Sequence, residues 1–186
     1  IRLNETTSMY FERLASISTG AEAERYRSIL NPASAREADE HFLEHEPRHA
    51  SMLRSSLSPN IFNAGYRINV IPSESTATVD FRALPDEDIP SFLEEIRKIV
   101  DDPAVEVGLG KRDTRPAGET RLDTEAFEII EAAVTKHYGA VTLPTMSTGA
   151  TDMAYLRSKG IQCYGVGPAL DIEDGPKGFE AHSDQE

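Results

Sequence analysis

The stretch Ser75-Thr-Ala-Thr-Val-Asp-Phe-Arg-Ala83 alternates between small or apolar residues and polar ones. The two sets of alternating positions are Ala77, Val79, Phe81 and Ala83, and Thr76, Thr78, Asp80 and Arg82. Because successive side chains of a strand point to opposite faces, this pattern predicts a half-buried β-strand. Residues 61–72 are also rich in β-forming residues, and Pro72-Ser-Glu is typical of a turn. We expect the two segments to form a hairpin or adjacent antiparallel strands.

Helical patterns flank this hairpin. Residues 5–57 are dominated by Ala, Glu, Arg and Leu, which favours helices, with breaks at Asn31-Pro32 and Pro47. Residues 85–100 carry the apolar stripe of an amphipathic helix, and residues 104–109 resemble a short strand. The order helix–strand–strand–helix–strand predicts an α+β domain, in which helices cover one face of an antiparallel sheet.

A different architecture follows a polar segment at residues 108–120, which is typical of a linker or a domain crossing. The sequence then predicts a helix over residues 124–138, capped by Asp123 and ended by Gly139. Short strands are expected at residues 141–143 and 161–165, with one or two helical turns at 151–158 between them. This alternation is typical of an α/β segment, and the segment is too short to be a complete domain.

Composition excludes several classes of function. The chain has 186 residues, of which 32 are acidic and 19 basic, so its formal net charge is −13. An acidic chain without a Lys/Arg cluster repels phosphate backbones, and we expect no nucleic-acid partner. No apolar run approaches the roughly 18 residues that span a bilayer, and we expect no membrane partner. Cys163 is the single cysteine, which excludes an internal disulfide and a Cys-based zinc site. The sequence does not indicate a compartment.

The five histidines are the first candidates for metal ligation, although His137, near the end of a predicted helix, is better explained by a favourable interaction with the helix dipole. His41, His45 and His49 recur every four residues, and two histidines one helical turn apart can chelate a metal. The stretch lacks the His-Glu-x-x-His spacing of metalloproteases, so a solvated helix face is the favoured interpretation. His182 lies on a loop after a Gly/Pro-rich stretch, where binding sites are common. It is a candidate ligand.

Two further features could hold an anion. The segment Pro144–Asp152 leads from a predicted strand into a helix, where exposed backbone N–H groups can bind an anion or simply form a turn. Arg82 could bind a carboxylate bidentately, although an internal ion pair with Asp80 is the more common outcome. Asn69 stands before Val-Ile-Pro, where it could be only a turn residue.

Five short motifs occur in a recognisable order. They are Asn69-Val-Ile-Pro72, Ala77-Thr-Val-Asp-Phe-Arg-Ala-Leu-Pro85, Ser147-Thr-Gly-Ala-Thr-Asp152, Tyr164-Gly-Val-Gly-Pro168 and His182-Ser-Asp-Gln-Glu186. With these motifs the chain resembles the zinc metallopeptidase family of aminoacylase, carboxypeptidase G, carboxypeptidase S and the acetylornithine and succinyl-diaminopimelate deacylases. The resemblance covers most of residues 59–186, and residues 1–58 match less specifically.

The resemblance implies a catalytic α/β domain holding two zinc ions, with an inserted α+β lid that usually mediates dimerisation. Residues 1–113 would be most of the lid, and residues 114–186 a C-terminal segment of the catalytic domain. A homodimer through the lid is therefore expected, with a substrate that carries a free carboxylate.

The resemblance also implies roles for individual residues. His182 matches the last zinc ligand. Asn69 and Arg82 match lid residues that bind the substrate carboxylate. Gly149 and its neighbours, including Thr151, match a loop whose backbone amides face that carboxylate, and Asp152 would support this loop.

Several parts of the family pattern have no counterpart in these 186 residues. They are the His-x-Asp motif, the bridging Asp and the general-base Glu, which stand before the lid in the family. We therefore expect a fragment of a zinc-dependent amidohydrolase that cleaves N-acyl amino acids or C-terminal residues of peptides. Without these groups the chain would bind zinc weakly or not at all, and would be inactive alone.

Two other functions stay open. A standalone dimerisation module derived from the lid would be a dimer with no substrate, although the retained His182 argues against it. An unrelated soluble α/β binding domain would require five motifs to fall in this order by chance.

Overall fold

The computed structural model describes residues 1–110, 118–149 and 151–166. Within these residues the chain forms seven helices and one two-stranded antiparallel sheet, the α+β arrangement that the sequence predicts. In chain order the elements are α1 (Glu5–Ile17), α2 (Gly20–Ser28), α3 (Ala35–His45), α4 (Pro47–Ser51), β1 (Ser56–Ala64), β2 (Ser75–Arg82), α5 (Ile89–Val100), α6 (Glu125–Tyr138) and α7 (Met153–Arg157).

The first four helices form a four-helix unit whose starts follow from the sequence. Asn4 and Thr7 make a capping box at α1, because the Asn4 side chain accepts the Thr7 N–H and the Thr7 hydroxyl accepts the Asn4 N–H, each at 2.9 Å. Pro47 stands in the first turn of α4, where its missing N–H is not needed. The buried residues of α1 recur at helical spacing: Thr7, Tyr10, Phe11 and Ala15.

The core of the four-helix unit is aromatic. Phe11 and Phe42 are fully buried, and their rings stack with centroids 5.6 Å apart and 11° between their planes. Tyr26 lies 6.1 Å from Phe11 and 6.0 Å from Phe42, measured between ring centroids. Such pairs contribute about 0.5–1.5 kcal/mol each beyond the burial of their area. Leu53, also fully buried, closes this core three residues before β1.

The hairpin is much less buried than the helices. β1 and β2 pair with Ser56 opposite Arg82 and Ala64 opposite Ser75, and the register shifts between Pro59 and Ile61 as in a β-bulge. All residues of both strands are exposed except Phe81, which is half-buried. Phe81 stacks on Phe92 of α5 with ring centroids 4.3 Å apart. In the described part of the chain, α5 is thus the helix that packs on the hairpin.

The boundaries of the later helices differ slightly from the sequence prediction. α5 begins at Ile89, four residues later than expected, where the Asp88 side chain accepts the N–H of Ser91. Thr124, and not Asp123, caps α6 by accepting the N–H of Phe127 at 3.2 Å. Asp123 pairs with the Arg121 guanidinium instead. Gly139 ends α6 in the left-handed conformation, as predicted.

The expected strands at residues 104–109, 141–143 and 161–165 are not formed among the described residues. A strand requires a neighbour for its backbone N–H and C=O groups, and the described sheet contains only β1 and β2. The first hairpin strand also lies earlier than the predicted residues 61–72. β1 ends at Ala64, and residues 65–74 form the connection to β2.

The burial pattern predicts which side chains determine stability. Phe42→Ala should lower the free energy of unfolding by about 3–5 kcal/mol, because it opens a cavity beside Phe11. Leu43→Ala is the matched control on the same helix, since Leu43 is 52% exposed; it should change stability by about 0.5 kcal/mol or less. Urea denaturation followed by circular dichroism measures both. Equal effects of the two substitutions would contradict the aromatic core.

Candidate functional site

Arg82 lies at the end of β2 with an exposed side chain. Its Nε donates a hydrogen bond to Oδ2 of Asp80 at 2.8 Å, so the internal ion pair considered from the sequence does exist. The two terminal guanidinium nitrogens bond no group in the described parts of the chain. Arg82 therefore keeps two donors that a carboxylate could receive side by side.

Asn69 lies at the other end of the hairpin. It belongs to the exposed connection beyond Ala64 and Ser75, whereas Arg82 stands opposite Ser56 at the root. β2 has eight residues and is about 23 Å long at about 3.3 Å per step. One chain therefore does not bring Asn69 and Arg82 to the same carboxylate.

In the predicted anion loop, Pro144 is buried and residues 145–149 follow it as an irregular segment. The Gly149 N–H donates a hydrogen bond to the Ser147 hydroxyl at 3.0 Å, so this amide is occupied within the loop. Thr151 is half-buried, and its hydroxyl accepts the N–H of Met153 at 3.4 Å. Asp152 precedes α7 without capping it through its side chain. Among the described contacts, none joins this loop to Arg82 or Asn69.

Arg157 of α7 fixes the segments on either side of this loop. Its Nε donates to the Thr120 hydroxyl at 2.6 Å, and its Nη2 to the Cys163 carbonyl at 2.8 Å. The Thr120 hydroxyl donates to the same carbonyl at 2.9 Å. Gly118 approaches closely as well, since a Cβ there would lie 2.9 Å from the Cβ of Arg157. These bonds hold residues 118–120 and 163 against α7.

The predicted zinc ligand, His182, lies outside the described residues. Within the described ranges, no three His, Cys, Asp or Glu side chains are grouped so that they could hold a metal ion. The described part of the chain therefore does not fit a two-zinc centre.

The histidines at 41 and 49 meet at one carboxylate, that of Glu46. The Nδ1 of His49 lies 2.5 Å from Oε2 of Glu46, and the Nε2 of His41 lies 3.3 Å from Oε1. The Tyr26 hydroxyl donates to Oε2 at 3.2 Å, and the Arg25 Nε lies 3.4 Å from Oε1. Glu46 thus links α2, α3 and α4 at the edge of the aromatic core.

This environment changes the acidity of Glu46 and of two tyrosines. Burial by itself raises the pKa of Glu46. The hydrogen bond and charge of His49 lower it, as do the hydrogen bond from the Tyr26 hydroxyl and the charge of Arg25. Together they outweigh burial, so the pKa of Glu46 lies below its usual value. Burial also raises the pKa of Tyr10, and the positive charge of Arg48 partly opposes this effect. The pKa of Tyr26 is raised by burial and by the negative charges of Glu46 and Glu22. The Tyr10 hydroxyl contacts the Nε2 of His49 at 2.9 Å.

The interpretation of the three histidines as one solvated helix face is wrong for His49. Pro47 starts a new helix, so His49 leaves the face of α3 and turns into the core, where its side chain is 15% exposed. His45 does remain exposed. The hint in the sequence was the Glu46-Pro47 break, which places Glu46 and His49 three residues apart at the start of α4. The aromatic contacts of His49 join residues distant in sequence and gave no local signal.

Comparison with known proteins identifies the fold of the first half. The family model of the peptidase dimerisation domain matches residues 16–108, which is half of the chain and includes the hairpin and α5. The chain belongs to the peptidase dimerisation domain family. This match confirms the resemblance to the metallopeptidase family of aminoacylase and carboxypeptidase S.

The similar proteins agree with this family. The chain is 25% identical over 111 residues to "Probable carboxypeptidase S-like 2" of Dictyostelium discoideum, covering 59% of this chain and 21% of that protein. It is 30% identical over 117 residues to human "N-fatty-acyl-amino acid synthase/hydrolase PM20D1", covering 61% and 23%. It is 25% identical over 149 residues to rat "Aminoacylase-1A", covering 78% and 36%. The chain therefore spans only about a fifth to a third of the lengths of these relatives.

No solved structure shows significant similarity to the chain. None of the helices in the described residues has the length and apolar character needed to cross a membrane.

The position of Glu46 predicts a pH-dependent contribution to stability. Because the pKa of Glu46 is lowered in the fold, its contribution should be fully present above the unfolded value of about 4.3, and lost as the pH falls through the folded value. Glu46→Gln should cost about 1–3 kcal/mol at pH 7, and this difference from the wild type should shrink below about pH 4.

The matched control is Glu44→Gln, because Glu44 lies two residues before Glu46, at the end of α3, with an exposed side chain. It should be nearly neutral at both pH values. Chemical denaturation at pH 7 and at pH 3.5 measures the effect. A loss for Glu46→Gln that is the same at both pH values would contradict this role of the ionised carboxylate.

Proposed function

We propose that this chain is the lid and part of the catalytic domain of a metal-dependent amidohydrolase, with residues 1–113 in the lid and residues 114–186 in the catalytic domain. The substrates are N-acyl amino acids or peptides cleaved at their C-terminal residue. The match of residues 16–108 to the peptidase dimerisation domain carries this proposal. The relatives named as aminoacylases, a carboxypeptidase S-like protein and an N-fatty-acyl-amino acid synthase/hydrolase support the substrate class.

The described residues supply the part of the reaction that anchors the substrate. Arg82 offers two exposed N–H donors beside its ion pair with Asp80, which suits the two oxygens of a carboxylate. The Gly149 loop and Thr151 add backbone and hydroxyl donors when Ser147 releases the Gly149 amide. Holding the carboxylate fixes the position of the neighbouring amide bond, and such positioning lowers the barrier by removing freedom of motion in advance.

A homodimer fits the hairpin geometry better than a single chain. Two hairpins that pair edge to edge about a two-fold axis run antiparallel, so the tip of one lies near the root of the other. Asn69 of one protomer and Arg82 of its partner could then reach one carboxylate, which the two residues of one chain do not. The unpaired backbone groups at one outer edge of each hairpin would find partners in the same step.

Metal chemistry requires groups beyond the described residues. The resemblance to the family implies that His182 is one zinc ligand. A catalytic zinc site needs about three protein ligands. The described residues contain no metal-holding group, and the sequence lacks counterparts of the other family ligands. We therefore assign substrate anchoring to this chain, and no hydrolysis in isolation. The alternative, a standalone dimerisation module, retains the dimer but binds no carboxylate.

Binding of a small N-acyl amino acid separates the two functions. N-acetyl-L-leucine should bind the chain, and Arg82→Met should weaken its affinity tenfold or more, since a hydrogen bond to a charged group contributes about 1.5–3 kcal/mol. Arg36→Met is the control, because Arg36 is also an exposed arginine with its own carboxylate partner, Glu40, on α3. Isothermal titration calorimetry measures both. Absence of binding by the wild type would favour the dimerisation module.

Metal dependence gives a second test. The purified chain with added Zn²⁺ should not hydrolyse N-acetyl-L-leucine above the rate of Zn²⁺ alone, because it lacks the required ligand set. Release of free leucine, followed by amine labelling, measures the rate. Hydrolysis that requires both chain and metal, and that is removed by a chelator, would contradict the assignment.

A further inference from the structure

Arg13 of α1 contacts both α6 and the segment that follows it. Its Nη1 donates to the carbonyl oxygen of Thr142 at 2.7 Å and lies 2.5 Å from Oε1 of Glu131 on α6. Its guanidinium also lies 6.0 Å from the ring centroid of Phe127, at the outer limit of a cation–π contact. One side chain thus contacts α6 and the segment after it, over a sequence separation of 129 residues.

Apolar and polar contacts beside Arg13 strengthen this junction. Leu143 and Met146 pack against the aromatic core of the four-helix unit, and Pro144 between them is buried. The Asn4 side-chain amide, at the start of α1, lies 3.2 Å from the sulfur of Met146. Residues 142–146 are therefore held by Asn4 at the start of α1 and by Arg13 further along the helix.

The Arg13 ion pair differs from an ordinary surface pair. The side chains of Arg13 and Glu131 are 25% and 33% exposed, so solvent screens their attraction less than it does for fully exposed pairs. The backbone carbonyl of Thr142 gives the guanidinium a second acceptor and fixes its direction. The ion pair and the hydrogen bond together fix the position of residues 142–146 along α1. Apolar packing alone would let these residues slide along the helix.

We propose that Arg13 is a positioning residue for the Ser147–Gly149 loop, because it fixes residues 142–146, which lead directly into that loop. Through Arg13, the four-helix unit holds the segment from which this loop begins. The consequence for substrate binding rests on the proposed function, in which the loop faces the substrate carboxylate. The position of the loop itself depends on Arg13 whether or not the proposed function is correct.

The Arg13 junction adds a contact between the two predicted domains and leaves their division unchanged, because the family match to residues 16–108 joins α2, α3 and α4 with the hairpin. Residues 1–54 were expected to belong with the hairpin in a lid. In the structure, the four-helix unit makes its apolar contacts outside the unit with Leu143 and Met146. Its described bonds to the hairpin side are polar ones at the root, where Arg2 contacts Glu87 and Asp86.

The methyl groups of the methionines provide a direct test in the complete 186-residue chain. Met146 lies at the junction, whereas Met52 is 3% exposed within the four-helix core and reports whether that core stays folded. In Arg13→Gln, the methyl NMR signal of Met146 and the amide signal of Gly149 should move toward random-coil positions, and Met52 should not. Arg13→Lys keeps the charge for Glu131 and should restore part of both shifts.

The control is Arg36→Gln, which removes an exposed ion pair on α3. Signals of Met146 and Gly149 that move no more in Arg13→Gln than in this control would overturn the proposal. If Arg13→Gln also moves the methyl signal of Met52, the core itself has changed, and Glu131→Gln becomes the deciding variant. This substitution removes the same ion pair from the side of α6. It should move Met146 and Gly149 alone, and no movement there would again overturn the proposal.

Binding of N-acetyl-L-leucine adds the functional measurement. Arg13→Gln should weaken it about tenfold, since a small displacement of an anchoring loop is costly, and Arg13→Lys should recover part of the affinity. A wild-type chain that binds no N-acetyl-L-leucine would refute the proposed function, while the methyl and amide signals would still decide the role of Arg13. Normal binding by an Arg13→Gln chain whose loop signals have moved would refute the substrate consequence alone.

Discussion

A two-stranded hairpin cannot bury its own faces, and this constraint governs the rest of the molecule. β1 and β2 expose Leu57, Ile61, Phe62 and Val79, and Phe62 is 72% exposed. The unpaired outer edges of such strands also present backbone groups ready for pairing. In the described residues α5 offers one stacked pair, Phe81 on Phe92, against this surface. We propose that a second copy of the chain covers this surface, because the family to which the chain belongs is a dimerisation domain.

The four-helix unit, unlike the hairpin, buries apolar side chains in a core of its own. Its aromatic core comes mostly from its own helices, and Glu46 contacts the His49 ring and the Tyr26 hydroxyl at the edge of that core. The Tyr10–His49–Glu46 chain of contacts has the form of a proton relay, but the Tyr10 hydroxyl belongs to a buried residue that packs within the core. We therefore assign it to stability. The unit is joined to residues 142–146 through Arg13, and the hairpin extends from it at Ser55.

The sequence predicted the elements whose signals are local. The alternation at residues 75–83 located β2, the apolar stripe located α5, and Gly139 ended α6. β1 was displaced because a bulge near Asn60 and an extended connection are set by pairing with β2, which a single segment does not encode. Strands at 141–143 and 161–165 were expected from composition, but a strand also needs neighbours.

The site residues were harder to predict. Glu46 was missed because its partners come from three helices. Asn69 and Arg82 were grouped by motif, although the hairpin separates them.

The central claim is that a second copy of the chain covers the hairpin. Sedimentation equilibrium over a range of protein concentrations tests it most directly. The account predicts a species of twice the 20.5 kDa chain mass, which dissociates when Phe62 is replaced by Glu. A single species of 20.5 kDa at every concentration up to the limit of solubility would contradict the account.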